Sequence, residues 1–210
     1  MRNLGYLLIA CCIAFGFAPA EAQNAPLFDA VAAGSLKDVE RLIGAGAAVN
    51  ARNADAETPL YVAVEQGRME IATYLLRRGA DIKIPTANGE TVLHAAALNG
   101  DAALLMLLLE RGAEVNRANR DGERPLFWAA AAGHGRAAKL LLDRGADLNA
   151  VDQNGNSALH GAVDGGHETA AWLLLDQGAN RGLRNAANET ALDIAQRRGF
   201  SEIVKLLRSR

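Results

Sequence analysis

Leucine recurs at a fixed interval of 33 residues through most of the 210-residue chain, at Leu27, Leu60, Leu93, Leu126, Leu159 and Leu192. Alanine keeps the same interval at Ala30, Ala63, Ala96, Ala129, Ala162 and Ala195, and glycine keeps it at Gly34, Gly67, Gly100, Gly133, Gly166 and Gly199. A second glycine series, each member followed by alanine, runs Gly46, Gly79, Gly112, Gly145 and Gly178. A single globular core gives no reason to hold four registers at one spacing. A stack of equivalent supersecondary units requires it.

The residues around the leucines identify the unit. They read ETPLYVAVEQG (Glu57 to Gly67), ETVLHAAALNG (Glu90 to Gly100), ERPLFWAAAAGH (Glu123 to His134) and NSALHGAVDGGH (Asn156 to His167), and apolar runs such as LLRRGAD, LLERGAE, LLDRGAD and LLDQGAN follow. The chain resembles the ankyrin repeat family, with its 33-residue period and TPLHxA signature. The resemblance covers six units, at about 23–52, 53–85, 86–118, 119–151, 152–184 and 185–210. It implies an all-α solenoid of stacked helix-turn-helix units with hairpin-like loops.

Local chemistry supports the same unit. Thr58 and Thr91 suit an N-cap, and Pro59 and Pro125 suit the first helical position, so a short first helix is expected. The glycines at 67, 100, 133 and 166 break it, and Asp101 can cap a second helix running to Glu110 or Arg111. That helix carries the expected core pairs Leu75/Leu76, Leu108/Leu109, Leu141/Leu142 and Leu174/Leu175. It ends at the second glycine series, in a left-handed conformation. Asn88-Gly89, Asp121-Gly122 and Asn154-Gly155 read as the tips of loops between repeats. End units should differ because one side of each meets water, and they do. Arg41 replaces the apolar residue of Leu107, Leu140 and Leu173, and Arg208 replaces that of Leu109, Leu142 and Leu175. No further repeats are expected beyond either end.

Residues 1–22 read as a secretory signal peptide: Arg2 precedes an apolar stretch from Leu4 to Ala18, with cleavage expected after Ala20 or Ala22. The stretch is shorter than the roughly 20 residues needed to span a bilayer, so no membrane span is expected. An uncleaved N-terminal anchor and lipidation at Cys11, within Leu8-Ile9-Ala10-Cys11, remain alternatives. Cleavage after Ala20 or Ala22 removes both cysteines, so no disulfide or thiol chemistry is expected. A short signal with one basic residue and an AxA site is the usual form of bacterial export, so a periplasmic location is expected.

The period also assigns the histidines. His94 and His160 share the last slot of the TPLH-like motif, while His134 and His167 both follow the first-series glycine, so structural roles are expected. No phosphate loop or nucleophile-histidine pairing stands outside the repeat register, and no enzyme activity, metal or cofactor is expected. Trp128 replaces the smaller residues of its slot, Val62, Ala95, Gly161 and Ile194, and reads either as core filling or as an aromatic anchor for a partner. Trp172, inside an apolar second helix, is expected to be buried.

Family resemblance implies protein binding through the concave face made by loop tips and first helices. Carried over slot by slot, the candidate contacts in repeat two are Asp55, Glu57, Glu65 and Gln66, and in repeat three Asn88, Glu90, Leu98 and Asn99. In repeat four they are Arg120, Asp121, Glu123 and Trp128, and in repeat five Gln153, Asn154, Asn156 and Asp164. Asp55, Glu57, Glu65, Glu90, Asp121, Glu123 and Asp164 oppose only Arg120, so the groove is acidic and its protein partner is expected to be basic where it docks. Part of that acidity serves helix starts, because Glu57, Glu90 and Glu123 immediately precede first helices. Residues 181–210 carry seven basic against three acidic side chains, a net of plus four in a chain of net charge minus two. That end reads as a solvated cap or as a second contact surface. Nucleic acid is disfavoured by the overall acidity, and a monomer is expected. The leading reading is a non-catalytic periplasmic scaffold supporting an exported partner; the alternative is an immunity or inhibitor protein neutralising a toxin or hydrolase.

Overall fold

The computed structural model describes residues 20–209, with side chains from Asn24 onward. The expected signal peptide through Pro19, including Cys11, lies outside the described residues. Among those described, the regular structure is twelve helices in six pairs: α1 (Ala20–Ala32) and α2 (Leu36–Gly44), α3 (Pro59–Glu65) and α4 (Met69–Arg77), α5 (Val92–Asn99) and α6 (Ala102–Glu110), α7 (Pro125–Ala131) and α8 (Gly135–Asp143), α9 (Ala158–Asp164) and α10 (Glu168–Asp176), α11 (Ala191–Arg198) and α12 (Ser201–Ser209). Odd-numbered helices pack on one another in one layer, and most successive even-numbered helices do so, more loosely, in a second. None is long and apolar enough to cross a membrane.

Each element starts and stops for the reason its residues dictate. Thr58 Oγ1 accepts the Tyr61 N–H at 3.1 Å, and Asp101 Oδ1 accepts those of Ala103 and Leu104 at 2.9 and 3.0 Å. Pro59 and Pro125 open α3 and α7. Gly79, Gly112, Gly145 and Gly178 follow the outer helices with φ between 87° and 88°, the left-handed region that disfavours any side chain. Helix α1 is the exception: it begins ahead of the repeat boundary at residue 23, so Pro26, in the slot of Pro59, lies inside it.

The leucine and alanine series make the core. Leu27, Leu60, Leu93, Leu126 and Leu159 are buried, and so are all six alanines of the series, where adjacent inner helices approach closely. Leu192, in the last of the described repeats, is only half-buried. In the outer helices Leu75, Leu108, Leu141 and Leu174 are buried, but Leu76, Leu109 and Leu142 are half-buried, so only Leu174/Leu175 is a fully buried pair. Arg41 and Arg208 are exposed, as the end positions require.

Trp172 departs from expectation: it is 43% exposed. The buried stripe of α10 is Ala170, Ala171, Leu174 and Leu175, and Trp172 points away from it. Its slot is that of Met106 and Lys139 in the preceding outer helices, which also face outward from the buried stripe.

Candidate groove on the inner-helix face

A backbone ladder joins the loop tips. The N–H of Ala87 donates to Asp55 C=O at 2.9 Å, Arg120 to Asn88 at 2.8 Å, Gln153 to Asp121 at 2.8 Å and Ala186 to Asn154 at 2.7 Å. One side chain shapes each tip by accepting two backbone N–H groups. Asn53 Oδ1 accepts from Asp55 and Glu57 at 3.1 and 2.9 Å, and Asn119 Oδ1 from Asp121 and Glu123 at 3.0 and 2.9 Å. Thr86, Asp152 and Asn185 do the same in their repeats. These five residues position the candidate contacts, and sequence reasoning missed them. Their signal was another series at the 33-residue interval.

Of the predicted contacts, Asp55, Glu65, Gln66, Asn88, Leu98, Asn99, Arg120, Asp121, Gln153, Asn154 and Asp164 are exposed, whereas Glu57, Glu90, Glu123, Trp128 and Asn156 are half-buried. The half-buried carboxylates are partly committed within the protein. Glu57 Oε2 accepts from Asn53 Nδ2 at 2.7 Å, Glu90 Oε2 from the Tyr61 hydroxyl at 3.0 Å, and Glu123 Oε2 from Asn119 Nδ2 at 3.0 Å and from the Trp128 indole N–H at 2.8 Å. Trp128 also sets its ring edge-on to His94, with centroids 5.4 Å apart. It is neither fully buried nor a free anchor: its N–H is used and part of its ring is exposed. Asn99 donates to Val64 C=O at 2.8 Å and also to Glu65 C=O, tying repeats two and three.

The charges divide along the groove. Asp164 is held by Arg198 through Nε at 2.9 Å and Nη2 at 2.7 Å, and Glu189 by Arg197 at 2.8 and 3.2 Å. Asp164 therefore drops out of the free acidic set. Among the described residues Asp55, Glu57, Glu65, Glu90, Asp121 and Glu123 make no salt bridge, so unneutralised charge gathers over repeats two to four. Partial desolvation, and after it the charges of Glu57 and Glu90, hold the Glu65 carboxyl above its ordinary pKa. Burial, followed by the Glu90 charge, pushes the Tyr61 hydroxyl far above its ordinary value.

The histidines are built into the scaffold. His94 Nδ1 accepts the Thr91 N–H at 3.0 Å while its Nε2–H donates to Glu123 C=O at 3.1 Å; His160 repeats this with Ser157 and Glu189 at 3.2 and 3.3 Å. Both ring nitrogens are thus committed in the neutral form, and burial lowers both pKa values. The His134 ring lies over Gly100, where an added Cβ would fall 2.3 Å away, and His167 lies over Gly133 in the same manner, at 2.5 Å. Among the described residues, no group of three or more His, Cys, Asp or Glu side chains could hold a metal ion.

The paired helices, the loop ladder and the capping slots together define a solenoid built for surface contact. The family model described as "Ankyrin repeats (3 copies)" matches residues 6–86, 27–119, 78–152 and 126–210. The chain belongs to the ankyrin repeat family, whose domains are protein-binding scaffolds and usually non-catalytic. No curated protein matches the chain.

Proposed function

We propose that the protein is a non-catalytic scaffold of the bacterial periplasm that binds one protein partner through its concave groove, and that the partner is basic where it meets repeats two to four. The observation that carries this reading is the uneven pairing of charge. Carboxylates at the far end of the groove have arginine partners, while Asp55, Glu65 and Asp121 stand exposed without a cation among the described residues. Like charges held together at a surface raise the field that steers a cationic partner, and the attraction weakens with salt. The periplasmic setting rests on Arg2, the apolar stretch from Leu4 to Ala18 and the small residues at Ala18, Ala20 and Ala22.

Asp55→Lys, Glu65→Lys and Asp121→Lys in one chain test the reading, because among the described residues these side chains make no hydrogen bond that the change would break. Partners captured from periplasmic extract by the native protein at low salt, and released at high salt, should not be captured by the variant, whose helical circular dichroism should match the native protein's. Equal capture by both proteins rejects the acidic groove. Intact mass of the exported protein tests cleavage after Ala20 or Ala22.

A further inference from the structure

Three small residues meet on the groove face where repeats four, five and six adjoin. The slot that holds Glu65, Leu98, Asp164 and Arg197 elsewhere is Ala131 in repeat four. The slot of Val62, Ala95, Trp128 and Ile194 is Gly161 in repeat five, and the slot of Gln66, Asn99, Ala132 and Arg198 is Gly165. Their coincidence opens a cavity of about 480 Å³, within the roughly 300–1,000 Å³ range of pockets that hold small ligands. One wall is the ring of Phe127, which stands where His94 and His160 stand in their repeats. An added Cβ on Gly161 would lie 3.0 Å from that ring, so the glycine and the phenylalanine occupy one shared space. Ile194, Arg197, Arg198 and Asp164 also line it.

Both arginines are ion-paired, yet each keeps a spare donor group. Arg197 and Arg198 engage Glu189 and Asp164 through Nε and Nη2, and the Nη1 of each makes no hydrogen bond among the described residues. Guanidinium groups with spare N–H donors in a repeat of net charge plus two favour a carboxylate beside the cavity. The apolar wall favours a large apolar side chain within it.

We propose that this cavity is the specificity pocket of the groove, taking one large apolar side chain of an extended partner segment with an Asp or Glu next to it, while basic residues of that segment lie over repeats two to four. This rests on the groove-binding reading above and adds to it the anchor residue and which part of the bound segment faces each end of the groove.

Ala131→Leu tests it, since Leu98 already occupies the same slot in repeat three with 46% of its surface exposed, and the longer side chain fills the cavity without entering the core. The probe is a random peptide library displayed on phage and panned on the full chain, followed by affinity measurement on an enriched synthetic peptide. Enriched peptides should share one Leu, Phe or Trp adjacent to an acid, together with a basic run. Ala131→Leu should weaken binding on the order of tenfold or more, and replacing the peptide's apolar anchor by Ala should remove the difference between the two proteins. Enriched peptides without the apolar-acidic pair, or native-like binding by Ala131→Leu, overturn the pocket. If the triple Lys variant also binds the peptide unchanged, or if nothing is enriched, the groove reading falls with it. If the triple Lys variant loses binding while Ala131→Leu does not, the pocket alone is wrong.

Discussion

Exchanging alanine and glycine at equivalent loop tips should change stability in opposite directions. The tip slot holds Ala56, Gly89, Gly122, Gly155 and Asn188, and all five have positive φ, from 60° at Ala56 and Asn188 to 83° at Gly89. The same turn bond recurs: Ala56 N–H donates to Asn53 C=O at 2.9 Å and Gly122 N–H to Asn119 C=O at 3.2 Å. A left-handed alanine costs roughly 1–2 kcal/mol, and glycine's greater freedom when unfolded returns about 0.4–1 kcal/mol of that difference. Ala56→Gly should therefore stabilise the protein by about 0.5–1 kcal/mol. Gly122→Ala incurs the same strain and a steric contact, since its Cβ would sit 3.0 Å from Gln153 N and 3.3 Å from the Asp152 backbone. Those atoms belong to the next tip, whose N–H forms a rung of the ladder, so the loss should reach roughly 1–3 kcal/mol. Urea unfolding followed by circular dichroism reads both. With a slope of about 2 kcal/mol/M, Ala56→Gly raises the midpoint by roughly 0.25–0.5 M and Gly122→Ala lowers it by more, at unchanged slope. An unchanged or lowered midpoint for Ala56→Gly refutes the assignment of strain to that residue.

Two further outcomes follow from the caps and the buried rings. Burial lowers the folded pKa of His94 and His160 below the unfolded value near 6.5, so their contribution is fully present above that pH and is lost as pH falls through the folded pKa values. The urea midpoint should drop as pH is lowered from about 7.5 to 5, and a double His94→Phe, His160→Phe variant should be less stable at neutral pH but show a smaller drop; an identical drop would place the titration elsewhere. Arg124 stands in the N-cap slot of Thr58, Thr91, Ser157 and Thr190 without making a side-chain cap bond, and its Nε is buried with no hydrogen-bond partner among the described residues. Arg124→Thr should gain about 1 kcal/mol from the cap and lose at most about that much from the partly exposed Arg124–Asp147 pair, so the melting temperature should rise or hold. A clear fall would show that the ion pair outweighs the cap.

Whatever repeats was legible in the sequence, because one slot could be checked against five others. The helix pairs, their capping residues, the left-handed glycines and the exposed end arginines all follow from the 33-residue register. The same ruler would have placed Trp172 correctly, since Lys139 fills its slot one repeat earlier; the apolar composition of the helix concealed the outward position. The candidate contacts could be assigned to a face, but not their pairing. Asp164 and Arg198 are 34 residues apart, and only the stacking of α9 against α11 brings them together. Counting acids along the groove therefore overstated its free charge at repeat five and could not show that the unneutralised part lies over repeats two to four. The tip-shaping residues Asn53, Thr86, Asn119, Asp152 and Asn185 escaped for another reason: they vary in type while sharing one function, acceptance of two backbone N–H groups.

Repeat four concentrates the departures from the common pattern, and they compensate one another. Arg124 replaces the capping Thr or Ser, Phe127 replaces the histidine that bonds the next loop in repeats three and five, and Trp128 replaces a smaller residue. Phe127 gives up that hydrogen bond, and its ring is admitted by Gly161 across the repeat interface. Trp128 would bury an indole N–H at a cost were it not taken by Glu123, and its edge packs on His94. Changing Phe127 alone to histidine would put a smaller, polar ring into the space that Gly161 leaves open. The core leucines and alanines of the same repeat keep their register and their burial, which confines the change to the concave side. Stability alone gives no reason to vary that side while holding the other constant, whereas recognition of one particular partner does.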